Sequence, residues 1–446
     1  MDNKKKQIWG WAMYDWANSA FATTVMAGFF PLFFKGYWSA GADVNVSTAQ
    51  LGLANSIASL IVALMAPIMG AIADKGSAKK KFMIFFAYLG ALMTAALFLV
   101  HEGDWQMASF VYVMGIIGFS GANVFYDSLL PSVANEKEID YVSGLGFGMG
   151  YLGGGLLFLV NVLMFKFPAW FGLANGTEGV LFSFLTVAVW WGLFTLITIF
   201  WVEEEQAEDA SKFDFAAIKA GIQQYLSTWK KIKHLQTVSL FLAAYWFYID
   251  GVDTIIRMAV DYGMSIGFEA GDLIVALLIT QFVGFPAAII YGKLGQKYGV
   301  RKGIYIGIAA YIIITFWGVL MDSVTEFYSL AIAIGFFQGG IQALSRSYYS
   351  RLIPKGQEGE FYGFYNMLGK FAAILGPLLI GVVGLTIKGT LGPLANTPEQ
   401  IEAIGQVASR WGIGSVVLLF VVGAILFKFV DEEEGRREAA FIEESN

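Results

Sequence analysis

The chain has 446 residues, 57% of them hydrophobic and only 14% charged, with a formal net charge of −6. An ordinary soluble domain is about a quarter charged, so a water-soluble globule is excluded. The chain has no cysteine, only two histidines (His101 and His234) and no phosphate-binding glycine loop, which excludes disulfides, a histidine metal site and an ATP-driven pump. No nucleophile constellation points to an enzyme, so neither a cofactor nor a metal is expected.

Twelve apolar runs long enough to cross about 30 Å of hydrocarbon lie at 8–34, 49–73, 82–101, 106–131, 142–166, 179–202, 236–261, 271–292, 303–321, 326–350, 361–387 and 410–430. Pro31, Pro67, Pro286 and Pro377 fall inside them, as membrane helices tolerate. The short alternating segments of a membrane β-barrel do not occur. The chain therefore reads as an all-α membrane protein. It divides into a six-helix unit (1–202), a polar linker (203–235), a second six-helix unit (236–430) and an acidic tail (431–446). The acids of 203–209 and of the tail read as solvated charge. Apolar residues at helical spacing between Phe213 and Trp229 suit a helix lying on the membrane surface. The first run is too long for a cleavable signal. With the N-terminus inside, 22 basic residues fall in cytoplasmic segments and 4 in outer loops, which predicts both termini in the cytoplasm. The remaining three, Arg257, Arg346 and Lys370, lie within predicted spans.

The two halves repeat. Gly70-AIADKGSAKK after span 2 matches Gly292-KLGQKYGVRK after span 8, at an offset of 222. NVFYDSLLP at the end of span 4 matches RSYYSRLIP at the end of span 10, at 223. Asp15 and Asn18 of span 1 match Asp250 and Asp253 of span 7, at 235. Three matches in order predict a duplicated bundle.

The loop pattern Gly-x-Leu-x-x-Lys-x-Gly-x-Arg-Lys at 292–302 resembles the signature loop of the major facilitator superfamily. Its first copy keeps the acid at Asp74, and the second has Gln296 there. Within that superfamily, YDWANSAFAT (14–23), FYDSLLP (125–131), YIDGVDTI (248–255) and QGGIQALSRSYYSRLIP (338–354) are similar to the autophagy-linked vacuolar amino-acid effluxers of fungi and their bacterial relatives. The resemblance implies two pseudo-symmetric six-helix bundles and a solute carrier. It also implies a gating role for the loop residues Asp74, Lys75, Lys297 and Arg301, and for Asp127 in FYDSLLP. Superfamily antiporters carry a glycine-rich motif in span 5; here the glycines run from 144 to 155 without the expected proline, and read as packing.

Charge inside a span costs at least about 2.5–3.5 kcal/mol per group, so it faces a wet pathway or a partner. Asp15 lies about 14 Å beyond Lys6 at helical rise, three residues before Asn18. It suits a proton carrier, charged when wet and neutral when occluded; the alternative is a cap in the headgroup zone. Asp250, Asp253, Thr254 and Arg257 project on one stripe. Asp253 and Arg257, four apart, are placed to pair, either lining a pathway or locking helices together. Gln338, Gln342 and Ser345 form a polar stripe with Arg346 at its edge, where a gating pair competes with substrate contact. Lys370 lies near mid-depth and awaits a substrate carboxylate or an acid of span 1 or 7. Both signs of charge predict a secondary transporter for an amino acid or similar zwitterion, with protons as the candidate coupling ion. It is expected to act as a monomer, in the inner membrane if the source is a bacterium, without nucleic acid. An efflux carrier for amphipathic compounds, suggested by the 16% aromatic content, or an uncoupled facilitator, is the alternative.

Overall fold

The computed structural model describes residues 2–41, 44–204, 215–231, 235–371, 374–394 and 397–444, which hold helices and turns and no strand. The first half forms α1 (Asn3–Trp38), α2 (Val44–Lys75), α3 (Lys79–Leu99), α4 (Trp105–Val133), α5 (Ile139–Lys166) and α6 (Gly176–Trp201). The linker supplies α7 (Phe215–Lys231). The second half forms α8 (Gln236–Ser265), α9 (Ala270–Tyr298), α10 (Val300–Leu320), α11 (Val324–Tyr349), α12 (Glu358–Phe371), α13 (Leu375–Leu391) and α14 (Pro398–Lys428), followed by α15 (Glu432–Glu444).

Eleven of these helices are long and apolar enough to cross a membrane. The remaining crossing, the eleventh in chain order and expected as one run over 361–387, is made in two pieces, α12 and α13. Pro377 sits in the first turn of α13, where its missing N–H has no carbonyl to bond four residues back, and that opens the ladder. In α1, wider π-type turns occupy Phe21–Phe29 and Phe34–Trp38 on either side of Pro31, a common accommodation of a lost backbone donor.

Two cores result. One joins α1–α6 around Trp11, Phe21, Trp38, Phe125 and Trp191; the other joins α8–α11 and α14 around Phe241, Tyr248, Tyr311, Tyr348 and Phe420. The bundles meet mainly where α5 packs on α9 and α2 on α12. Glycine permits both approaches. A Cβ on Gly144 would lie 2.6 Å from the Ala288 carbonyl oxygen, and one on Gly70 would lie 2.0 Å from that of Gly359.

Both termini sit on one face, here called the basic face: Lys4 pairs with Glu138 at 2.9 Å and Arg436 with Glu136 at 3.1 Å. Four helices starting on the opposite face carry their own side-chain caps, at Asp104, Asn175, Ser323 and Thr397. Several starting on the basic face are capped from elsewhere in the chain. Glu204 accepts from the amides of Lys79 and Lys80 at 2.7 and 3.1 Å, and Glu438 from that of Thr237 at 2.9 Å. The acidic runs expected as solvated charge therefore contain caps. The tail folds as α15, burying Ala439 and Ile442, because its acids have helix N-termini to bind.

Gly144→Val should overpack the α5–α9 contact and lower the stability of the detergent-solubilised protein by about 1–3 kcal/mol. Gly389→Ala, where an added Cβ meets nothing within 4 Å, should leave the melting temperature unchanged or slightly raised. Thermal unfolding of the two variants side by side checks this.

Candidate functional site

The deepest contact between the bundles centres on Arg346 of α11. Its guanidinium donates to Asp127 Oδ1 at 3.0 Å and lies 3.8 Å from Asp15 Oδ2, while its side chain is 4% exposed. It also donates to Ser143 Oγ at 3.0 Å and the Ser143 carbonyl at 2.9 Å, using its fork on a second helix. The rings of Trp11, Tyr126 and Phe147 surround it at 4.3–5.4 Å. The acids are themselves held: Tyr126 Oη donates to Asp15 at 2.8 Å, and Asn366 Nδ2 to the other oxygen of Asp127 at 3.0 Å. One cation thus ties α1, α4 and α5 to α11 and α12. Two carboxylates share one guanidinium, which leaves a surplus of one negative charge.

Nearer the basic face, Asp74 accepts from the amides of Gly359 and Glu360, each at 2.9 Å. It thereby caps α12 from the other bundle, where the helix dipole favours an anion. Lys79 bridges Asp74 and Glu358 at 3.1 and 2.6 Å. On the α5 side, Arg351 binds both oxygens of Asp140 at 2.7 Å. Gln296, at the position matching Asp74, donates to the Lys137 carbonyl. The loop residues expected at this seam divide. Asp74 and Asp127 lie in it. Lys75 and Lys297 are exposed, the latter over the Tyr298 ring. Arg301 donates to the Lys428 carbonyl at 2.6 Å, within its own bundle. The cross-seam cation is Lys79 rather than Lys75, because Lys75 ends α2 facing water while Lys79 opens α3 beside the start of α12.

Further along the crossing the picture changes. Beyond the break, α13 packs on α8 and α14 of its own bundle, so the α2/α12 seam is shut at the basic face. Asp250, wholly buried, accepts from the amides of Leu375 and Gly376 at 3.0 and 2.8 Å and from Thr254 Oγ1 at 3.1 Å. It caps α13, and both its oxygens are engaged. Arg257, about 32 Å along α8 from its start, lies 3.9 Å from Asp253 and is 47% exposed; Asp253 is 21% exposed. Asn18 is buried and donates to Asn123 at 2.6 Å. Gln342 is half-buried. Gln338 lines a cavity of about 60 Å3 in the second bundle with Ile255, Tyr262, Thr280, Phe327 and Ile334, and its Oε1 is buried without a partner. The side chain of Lys370 lies outside the described residues.

Ser143, Asn366, Asp140, Arg351 and Lys79 belong to the seam and are not singled out by the sequence. Arg351 and Lys79 are hidden among basic loop residues, and a serine or asparagine in a span carries no charge to flag it.

The family described as "Vacuole effluxer Atg22 like" matches residues 39–386. The chain is 39% identical, over 96% of its length and 95% of the relative's, to the uncharacterized MFS-type transporter YxiO of Bacillus subtilis. It is 23% identical to autophagy-related protein 22 of Kluyveromyces lactis, covering 98% of this chain and 96% of that one. Among solved structures, the human organic anion transporter MFSD10 (TETRAN) shares the fold with a TM-score of 0.68 at 14% identity, over 96% of this chain and all of the other.

Two variants separate the seam from the interior. Asp74→Ala loses a trans cap of about 1–2 kcal/mol, so the labelling rate of a cysteine at Ser128, a wholly buried site, should rise about tenfold from the basic face. Asp250→Ala loses the α13 cap and should lower stability by a similar amount while leaving that labelling unchanged. The absence of native cysteine makes the measurement direct.

Proposed function

The chain belongs to the Atg22-like vacuole effluxer family of the major facilitator superfamily and is a membrane transporter, and on that premise we propose that it moves a small zwitterion, an amino acid or close analogue, by alternating access coupled to protons. The observation that carries the substrate class is the Asp253–Arg257 pair. Asp15, Asp127, Asp140, Asp250 and Arg346 are all engaged in short bonds within the interior. Arg257 is half exposed, 3.9 Å from Asp253, and its guanidinium is open to a ligand. A substrate carboxylate binds the Arg257 guanidinium and its ammonium the Asp253 carboxylate. Neither charge then crosses the membrane bare, which is the main barrier to such a solute. Asp15, Asp250 and Arg346, three of the residues first considered for this contact, are committed elsewhere.

The coupling reading rests on the Arg346 cluster. Its surplus carboxylate has to be balanced when the seam shuts, since leaving a buried charge unpaired costs several kcal/mol. A proton is the smallest balancing charge. Closure of the basic face takes it up on the Asp15–Asp127 pair, and opening lets water solvate the acids and the proton leave. We place the basic face in the cytoplasm on the distribution of lysine and arginine, in the inner membrane of a bacterial cell, with one chain as the working unit. A second reading, efflux of amphipathic compounds, is favoured by the apolar cavity at Gln338, which accepts a small hydrocarbon group beside α8.

The test uses proteoliposomes and a panel of labelled amino acids. Asp15→Asn should lose uptake driven by a pH gradient by at least tenfold and keep counterflow of internal for external substrate, which needs no net proton movement. Arg257→Ala should lose both. If wild-type flux ignores a pH gradient, the proton is not the coupling ion. If only amphipathic drugs compete for flux, the second reading replaces the first.

A further inference from the structure

The linker helix α7 is unusual in what it turns inward. Its buried side is small and polar: Gly221, Gln224 and Thr228. Gly221 lies so close to α2 that a Cβ there would come within 2.5 Å of the Ile72 Cα. Gln224 Nε2 donates at 2.8 Å to Glu360 Oε2 of α12, and Tyr225 stacks on Phe364 of the same helix, ring centres 6.1 Å apart. One helix is therefore fastened to α2 of the first bundle and to α12 of the second, just beyond the Asp74 cap. When α2 and α12 part, α7 can follow only one of them.

Its other side carries Ile222, 42% exposed, and Leu226, 53% exposed, one turn apart, with Ile218 in line with them. At 100° per residue this stripe lies about 130° around the helix from the buried side. That is the disposition of a helix wedged between a bundle and a leaflet, not of one facing water on its outer side. Lys219 is exposed beside the stripe. The segment 212–233 contains five lysines, Lys212, Lys219, Lys230, Lys231 and Lys233, against the single acid Asp214. Basic residues flanking an apolar helical face are attracted to anionic headgroups.

We propose that α7 is seated in the leaflet on the basic face, that its partner is an anionic lipid surface, and that lipid held in this way keeps the α2/α12 seam shut. The surface is defined without reference to the substrate, and the experiment needs no transport.

Single cysteines report both halves of the claim. A polarity-sensitive fluorophore on Leu226→Cys, reconstituted in phosphatidylcholine with or without phosphatidylglycerol, should be quenched by lipids carrying a quencher in the acyl region. The quenching should be stronger with phosphatidylglycerol and weakened by salt, and the same label on Gln223→Cys should stay aqueous. A cysteine at Ser128 should label several-fold more slowly from the basic face in phosphatidylglycerol than in phosphatidylcholine alone. Ile222→Glu with Leu226→Glu should erase that lipid dependence. Gly221→Leu, which forces α7 off Ile72, should speed Ser128 labelling while leaving lipid quenching at 226 intact; unchanged size-exclusion profiles show that the variants fold. A label at 226 that stays aqueous in both lipids overturns the membrane seat, and a crosslink from it to another protein or a second copy would identify what covers the stripe instead. Quenching with equal Ser128 labelling in both lipids overturns the control of the seam.

Discussion

A charge in a bilayer must be paired, bonded or wet, and the interior of this protein is arranged by that rule. Five acids of the crossing helices bind a cation or a run of amide hydrogens: Asp127 and Asp15 at Arg346, Asp140 at Arg351, Asp74 at Lys79 and the start of α12, Asp250 at the start of α13. Four of these five acids take their partner from the other bundle. The cost of stranding either partner is therefore a cost of separating the bundles at the basic face. The same contacts that make the closed face stable must be dissolved, solvated or neutralised for it to open.

The helix starts extend this logic to charge outside the hydrocarbon. An N-terminus leaves amide donors unsatisfied, and on the basic face Glu204, Glu438 and Asp74 supply the acceptors from distant parts of the chain. The tail helix α15 joins the set: its Glu432 lies near Arg351, which holds Asp140, and its Arg436 reaches Glu136. Linker and tail are thus bound to helices of both bundles at the basic face.

The sequence announces the crossings, because their signal is compositional and local, and the duplication, because three short matches recur at nearly constant offsets. Asp74, Asp127, Asp250 and Arg346 are buried whereas Lys75 and Lys297 are exposed, and the partners of the buried ones are largely illegible in the sequence. Asp74 bonds to Gly359, 285 positions away, and nothing near either residue marks the pairing. Asp250 looked like a pathway acid for the same reason Asp253 did, since both lie on one stripe of α8. Only the break between α12 and α13, beside Pro377, gives Asp250 amides to cap. Within the acidic runs, Glu203, Glu433 and Glu434 are exposed as expected, while Glu204 and Glu438 cap helix N-termini placed against them, which no local signal marks.

The repeat makes the chemistry of the seam more specific. Two bundles from one ancestor would bring like residues to symmetric positions, and like charges facing each other at a closed seam would repel. The matched positions have diverged so that this does not happen. Asp74 caps α12 as an ion, while Gln296 reaches the start of α5 as a neutral amide. Arg346 corresponds to Asn123, which bonds Asn18 within its own bundle, and Asp127 corresponds to Ser350. The acids of the central cluster come from the first half and its guanidinium from the second, so the attraction acts only between halves. Asymmetry of charge ties the halves at Arg346, where two carboxylates of the first half share one guanidinium of the second.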